Sequence, residues 1–300
     1  MKIIVAGGSG FVGRALCETL SSRGHEIVVL SRHPSPSGEK FRRVCWDAKN
    51  LGDWQKVLVG AGAVINLCGE SIAKGRWNAR RKKIFYDSRI LSTRALVAAM
   101  SQTQEKPKVF INASATGFYG DRGDEELDEV SRSGVDFLSK LCADWEKEAQ
   151  IAQSLGIRAI CLRMGLVLSQ GGGALHRMAL PFRWGLGGRL GNGRQWMSWI
   201  ALEDLASMAA HLLDCDVSGP VNGVSPQPVR NEDFTLTLAS ILKRPSWATV
   251  PRWALNLALG EISSVILSSQ RVFSRKAESA GFQFRFPRLD LALDFALNRR

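Results

Sequence analysis

The hydrophobic and polar positions of this chain read as alternating strands and helices. Lys2 to Ala6 is a short apolar run rich in Ile and Val, the pattern of a strand buried on both faces. A glycine-rich stretch, residues 7–13, follows at once. Apolar residues at helical spacing then pass through Leu16 and Leu20 and stop at Arg23-Gly24, before a second apolar run over 27–30. Further strand candidates stand at 42–45, 63–67, 109–112, 157–162 and 219–223. A short helix is expected at 53–58 and a long one from Arg76 or Trp77 to Met100. Another spans 136–155, with Phe137, Leu141, Trp145 and Ala149 at its apolar spacing. Residues 121–133 are polar and acidic and read as a surface loop. Strands alternating with helices predict an α/β fold, a Rossmann-type doubly wound parallel sheet of about seven strands.

The texture changes after Gly165. Residues 171–173 and 185–193 are glycine-dense, as loops that close over a site are. A strand is expected at 196–200, a helix from Glu203 to about Leu213, and a helix capped by Asn231. From Pro245 the pattern is a compact helical appendix ending in a helix over 289–297. The division expected is a dinucleotide-binding domain over 1–225, with a lid at 165–200, and a smaller, mostly helical substrate-binding part over 226–300.

The first turn carries the clearest chemistry. Gly7, Gly10 and Gly13 sit as G-x-x-G-x-x-G between a strand and a helix. In a dinucleotide site the first glycine permits the tight turn and the second lets a pyrophosphate approach the backbone. The third lets helix and strand pack closely. Ser9, Phe11 and Val12 fill the turn, and the helix end offers free N–H groups to the phosphates. The other reading is a plain strand-to-helix turn. At the end of the second strand, where an NAD site places a carboxylate, the chain has Ser31, Arg32 and His33. A guanidinium can bind a 2′-phosphate in a bidentate way, so Arg32 points to NADP(H), or else is a solvated arginine. Leu67, Cys68 and Gly69, at the carboxyl end of the fourth strand, are expected along the cofactor, largely through backbone. Asp47 either accepts from the adenine amino group or caps its own loop.

Composition narrows the class. Six scattered cysteines with no C-x-x-C spacing look like buried thiols of a reducing compartment, with no metal site. No apolar run reaches bilayer length and no leader is visible, so a cytoplasmic protein without membrane contact is expected. The net charge is +12. Its densest block, residues 74–94, also carries helix-period apolar residues and reads as a helix with a solvated basic face. No nucleic-acid motif stands out, and no nucleic-acid partner is expected. The oligomeric state stays open.

Taken together, the residues resemble the extended short-chain dehydrogenase/reductase superfamily, the nucleotide-sugar epimerases and their relatives. The resemblance rests on the glycine turn, on Ser114-Ala115-Thr116 with Tyr119-Gly120, and on Trp199-Ile200 running into Glu203-Asp204-Leu205-Ala206. More narrowly the chain is similar to the atypical epimerase-like subfamily also known as cell-division-inhibitor homologues. The words carrying this are Leu30-Ser31-Arg32, Asn66-Leu67-Cys68-Gly69-Glu70, Arg76-Trp77-Asn78 with Ser88-Arg89, Leu180-Pro181-Phe182, and 281–284 with Pro287. The resemblance implies a Rossmann domain, a C-terminal substrate-binding part and NADP(H), with Arg89 joining Arg32 or reaching the pyrophosphate. It also implies a Tyr-x-x-x-Lys pair on the helix after the fifth strand. Aligned on Lys140, the tyrosine position holds Asp136, so the phenol is missing. Ser114, Tyr119 and Lys140 are then the catalytic candidates, with Tyr119 alternatively the structural aromatic of its turn and Lys140 alternatively a solvated lysine. The expected function is an NADP(H)-binding, epimerase-like oxidoreductase with an altered active site and an unassigned small-molecule substrate. Its alternatives are a non-catalytic NADP(H)-binding or sensing module and, on charge alone, a nucleic-acid or partner-binding protein on a retired enzyme fold.

Overall fold

The computed structural model describes residues 1–33, 40–73, 75–169 and 172–298. Gly171 of the glycine-dense stretch and Lys74 of the basic block lie outside them. Seven strands form one parallel sheet: β1 (Lys2–Ala6), β2 (Glu26–Ser31), β3 (Arg42–Cys45), β4 (Ala61–Asn66), β5 (Val109–Ala115), β6 (Arg158–Met164) and β7 (Gly219–Gly223). Their order across the sheet is β7-β6-β5-β4-β1-β2-β3. Strand order reverses between β1 and β4, and ligands of doubly wound folds sit at such a switch point. β1 is therefore central: Ile3, Ile4, Val5 and Ala6 are fully buried.

Helices cover both faces. α1 (Phe11–Ser22) and α5 (Leu202–Asp214) pack on one side through Leu16, Leu20, Leu205 and Leu212, joined to Ile3, Val5 and Ile65 in one apolar cluster. α2 (Ala79–Gln102) and α3 (Phe137–Gln150) lie on the other side. There Leu96, Met100 and Ala149 meet Ile4, Val64 and Phe110. Asp136 ends up as the N-cap of α3, accepting from the Ser139 N–H at 2.8 Å, and the last turns of that helix tighten to 3-10 over Ile151–Leu155.

Two expectations are corrected. Residues 121–133 are not merely a surface loop. Glu126–Leu127 pairs in parallel with Arg271–Val272, Leu127 is fully buried, and Glu129 is buried, accepting from the N–H groups of Asn222 and Lys276. The region after Gly165 is also more regular than its glycines suggest. Leu166–Leu168 pairs with Trp199–Ala201, and Gly188–Leu190 with Ala248–Val250. Between them stands α4 (Gly173–Arg183), with Pro181 inside it. α6 (Asn231–Leu242), α7 (Arg252–Leu259) and a closing helix Leu289–Asn298 complete the C-terminal part. Asp204 of α5 pins that part by accepting from the N–H groups of Arg285 and Phe286, both at 2.9 Å.

Candidate functional site

The glycine turn lies at the switch point. Gly7 has φ +78°, and a Cβ there would stand 2.9 Å from the Leu67 carbonyl carbon, so only glycine lets the ends of β1 and β4 meet. Gly13 is tighter still: a Cβ would stand 2.4 Å from the Gly7 oxygen. Gly10 differs. Its φ of −74° and ψ of 175° suit any residue, and a Cβ would meet only the Gly7 oxygen, at 3.2 Å. A Cβ would be tight against that one atom alone, and Gly10 is exposed, so its bare side faces outward.

α1 begins at Phe11 with no side-chain cap and no acidic residue in its first turn. Arg14 donates back to the Gly10 oxygen at 3.0 Å. The N–H groups of Phe11, Val12 and Gly13 precede the intrahelical ladder and, with the helix dipole, form a cradle for an anion. Ser9 shapes the turn through its carbonyl, which accepts from Arg14 Nε at 3.0 Å. The Phe11 ring meets the start of α4, which only Gly172 and Gly173 allow to come so close.

At the end of β2, Ser31 is buried and its Oγ accepts from the His33 N–H at 3.3 Å, whereas Arg32 is exposed. Asp47 caps its own loop, accepting from the N–H groups of Lys49 and Asn50, which hold its carboxyl below the usual range.

A cavity of about 270 Å³ opens beside the turn, among Val12, Leu67, Cys68, Gly69, Arg89, Ser114 and α3. A buried polar ladder shapes its floor. Asn66 Nδ2 donates to Thr93 Oγ1 and to Asn112 Oδ1, and Trp145 Nε1 donates to the same Thr93 oxygen at 2.8 Å. Thr93 Oγ1 donates in turn to the Arg89 carbonyl at 2.8 Å. Arg89 lies 5.2 Å over the Trp145 ring, and its Nη1 donates to the carbonyls of Glu70 and Phe85. Burial pulls its value down, opposed by the charges of Cys142 and Glu70. A Cβ on Gly69 would stand 3.0 Å from its Cζ. Arg89 is the one charged side chain lining this cavity among the described residues.

The three catalytic candidates do not come together. Ser114 reaches the cavity. Its Oγ donates to Glu146 Oε1 at 2.6 Å, and Glu146 is held by Arg163 through two bonds of 2.8 Å. Tyr119 is corrected to an interior residue. It is fully buried, and its one proton is shared between Asn222 Oδ1 at 2.7 Å and the Asp128 carbonyl at 2.8 Å. Arg163 Nη1 donates to its oxygen at 2.9 Å. Burial, opposed by Arg163, pushes its phenol up to about 12. Lys140 is corrected as well: it is exposed and absent from the cavity lining. The face of α3 that lines the cavity runs through Leu138, Leu141, Cys142 and Trp145. The positions four apart that face Ser114 are thus Leu138 and Cys142. Burial pushes the thiols of Cys142 and Cys68 up to about 12, so neither is a ready thiolate.

Sequence reasoning passed over Glu146, Arg163 and Asn222. A signal existed for Arg163, a charge that follows directly on the apolar run Ala159 to Leu162. Unpaired burial there would cost several kcal/mol, so a buried partner was required.

The model of the NAD dependent epimerase/dehydratase family matches residues 3–224, and that of a domain of unknown function, DUF1731, matches residues 250–296. The epimerase family protein YfhF of Bacillus subtilis is 39% identical over 296 residues, covering 98% of this chain and 97% of that protein. An epimerase family protein of Mycobacterium leprae is 38% identical over 99% of this chain and 96% of its own length. Among solved structures, the human epimerase family protein SDR39U1 (isoform 2) with NADPH superposes with a TM-score of 0.90 at 33% identity, covering 100% of both chains. A UDP-glucuronic acid 4-epimerase from Bacillus cereus, solved with UDP-glucuronic acid and NAD, gives a TM-score of 0.79 at 17% identity over 99% of this chain and 98% of that one, a likeness of fold alone.

Proposed function

Since the chain belongs to the NAD dependent epimerase/dehydratase family, we propose that it is an NADP(H)-dependent oxidoreductase of the epimerase kind acting on a small molecule, with the usual phenol–ammonium pair replaced. The observation that carries this is the uncapped start of α1 beside the bare side of Gly10 and the exposed Arg32. These residues fit the cofactor. The N–H groups of Phe11, Val12 and Gly13 would hold its pyrophosphate. Arg32 would meet the 2′-phosphate that distinguishes NADP from NAD. Leu67, Cys68 and Gly69 would lie along it through backbone, and Arg89 would supply positive charge toward its nicotinamide half. That the human relative was solved with NADPH supports NADP(H) over NAD.

Bound there, the cofactor would supply or accept a hydride. The chain's own residues would then orient a ligand without a strong acid. Ser114 donates its one hydrogen bond to the Glu146 carboxylate, so toward the cavity it offers lone pairs. It therefore suits a ligand hydroxyl better than a carbonyl. Glu146 and Arg163 hold it in that orientation. A second reading, a module that binds or senses NADP(H) without turnover, is favoured by Leu138 and Cys142, which leave the cavity face of α3 without a titrating acid near neutrality.

The test is NADPH oxidation with a carbonyl panel, and NADP reduction with the matching alcohols. Positioned general acid–base help is typically worth about a hundred- to ten-thousandfold. The enzyme reading predicts slow turnover that Ser114→Ala lowers at unchanged NADPH affinity. Tight NADPH binding with no turnover of either panel favours the sensing reading.

A further inference from the structure

The chain has nine tryptophans, and the three most exposed stand in one neighbourhood. Trp184, at the end of α4, is 79% exposed; Trp247, just before the strand Ala248–Val250, 76%; Trp253, in the first turn of α7, 69%. The parallel pairing sets Gly188 beside Ala248, so the turn holding Trp184 and Leu186 lies next to the one holding Trp247. Pro251 then leads straight into α7, where Trp253 and Leu257 stand one helical turn apart. Leu186 and Leu257 are exposed too. Exposed apolar side chains gathered in this way mark an interaction surface.

The segments that carry them are basic, with Glu232, Asp233 and Glu261 at their flanks. Residues 172–194 hold four arginines and residues 234–260 hold two arginines and a lysine, and neither segment has an Asp or Glu. Nearby carboxylates do little to neutralise them: among the described ion pairs, only Arg189 has one, with Glu232 at 3.8 Å.

We propose that this face adsorbs to an anionic lipid bilayer, the indoles entering the headgroup region and the cations meeting lipid phosphates. Tryptophan has an apolar body and a polar N–H and partitions to that boundary. Basic residues beside it add attraction to an anionic surface. A second copy of the chain is a poor occupant, because a two-fold contact would press seven cations against seven more. An acidic protein fits less well than a bilayer, because an acidic surface would meet the cations alone, whereas a headgroup boundary takes both the cations and the indoles. No helix of the described residues is long and apolar enough to cross a membrane, so the attachment is peripheral. The absence of such a span underlay the expectation of no membrane contact, but adsorption requires none. The face also reaches the cavity rim: Arg177 donates to the Ala73 carbonyl and Arg76 to the Leu257 carbonyl, tying α4 and α7 to the loop leaving β4.

The test is co-sedimentation of the full chain with vesicles of phosphatidylcholine alone and with phosphatidylglycerol added. Partition to the anionic vesicles is expected, falling as salt rises, with little to the neutral ones. Trp184→Ser/Trp247→Ser/Trp253→Ser should cut partition at least tenfold at unchanged melting temperature and NADPH affinity, and Arg183→Glu/Arg252→Glu should do the same, at about fivefold or more for each charge. Four results would overturn the proposal. They are no partition to anionic vesicles, equal partition to neutral ones, full partition by the triple variant, and loss of a dimer by that variant in gel filtration. Binding to soluble polyglutamate that equals vesicle binding and ignores the tryptophans would point to an acidic protein and overturn it as well.

Discussion

Gly10 and Gly13 separate the two demands placed on the glycine turn. In Gly13→Ala the new methyl would stand 2.4 Å from the Gly7 oxygen and 2.7 Å from the Gly8 Cα, both backbone, so no side chain can swing away. Overpacking of this kind costs about 1–3 kcal/mol, and the better helix propensity of alanine returns about 1 kcal/mol. The net loss, up to about 2 kcal/mol, corresponds to a fall of up to about 4–8 °C in melting temperature for a chain of this size. The turn must shift, so NADPH affinity should fall too. Gly10→Ala meets only one oxygen, at 3.2 Å, in a backbone conformation open to alanine. Its stability cost is the weaker N-cap, about half a kcal/mol, yet its methyl occupies the side a pyrophosphate would approach. Melting by circular dichroism and NADPH titration by calorimetry, run on both variants, should show Gly13→Ala losing both quantities. Gly10→Ala should keep its melting temperature within about 2 °C while losing at least tenfold in affinity. Wild-type affinity in Gly10→Ala would refute the assignment of that side to phosphate.

Tyr119→Phe should leave NADPH affinity unchanged and cost about 1–3 kcal/mol in urea unfolding, because Arg163 and Asn222 lose a buried partner. Cys68 and Cys142, both pushed up to about 12, should react with a thiol reagent at pH 8 far more slowly than the exposed Cys45, and all six cysteines should react in denaturant. Burial raises the Asp204 carboxyl above its ordinary 3.8 despite its two N–H donors, so its favourable contribution is present below that value and is lost as pH rises through the raised one. Urea midpoints of the wild type should therefore fall relative to Asp204→Asn as pH climbs from about 3.8, and a constant difference would refute this.

The parts legible from sequence are those whose cause is local. A bare-backbone turn between a buried strand and a helix needs glycines at fixed spacing, and β1, α1 and Gly7, Gly10 and Gly13 stand as that spacing implies. Short strands bounded by polar residues and glycines also announce themselves, so 42–45 and 219–223 match β3 and β7 residue for residue. On α3, aligning the Tyr-x-x-x-Lys pair on Lys140 follows the family word and not helical phase. Leu138, Leu141, Cys142 and Trp145 already lay at the spacing of one face, and the cavity takes that face, leaving Lys140 in solvent. Tyr119 was misplaced for a different reason. Its partners Asn222 and Arg163 are 103 and 44 residues away, and no local pattern reports where such side chains meet. The helix α4 was hidden by flanking glycines that serve as close-contact positions for Phe11 and as turn residues.

The most direct measurement of the central claim is calorimetric titration of NADPH and NADH into the wild type and Arg32→Ala at one fixed salt concentration. A charge-assisted contact to a phosphate is worth about 1.5–3 kcal/mol, or about ten- to a hundredfold in affinity. The wild type should bind NADPH more tightly than NADH by about that factor, and Arg32→Ala should bring the two dissociation constants together by weakening NADPH alone. Equal affinities in the wild type, or a preference that survives in Arg32→Ala, would contradict the account.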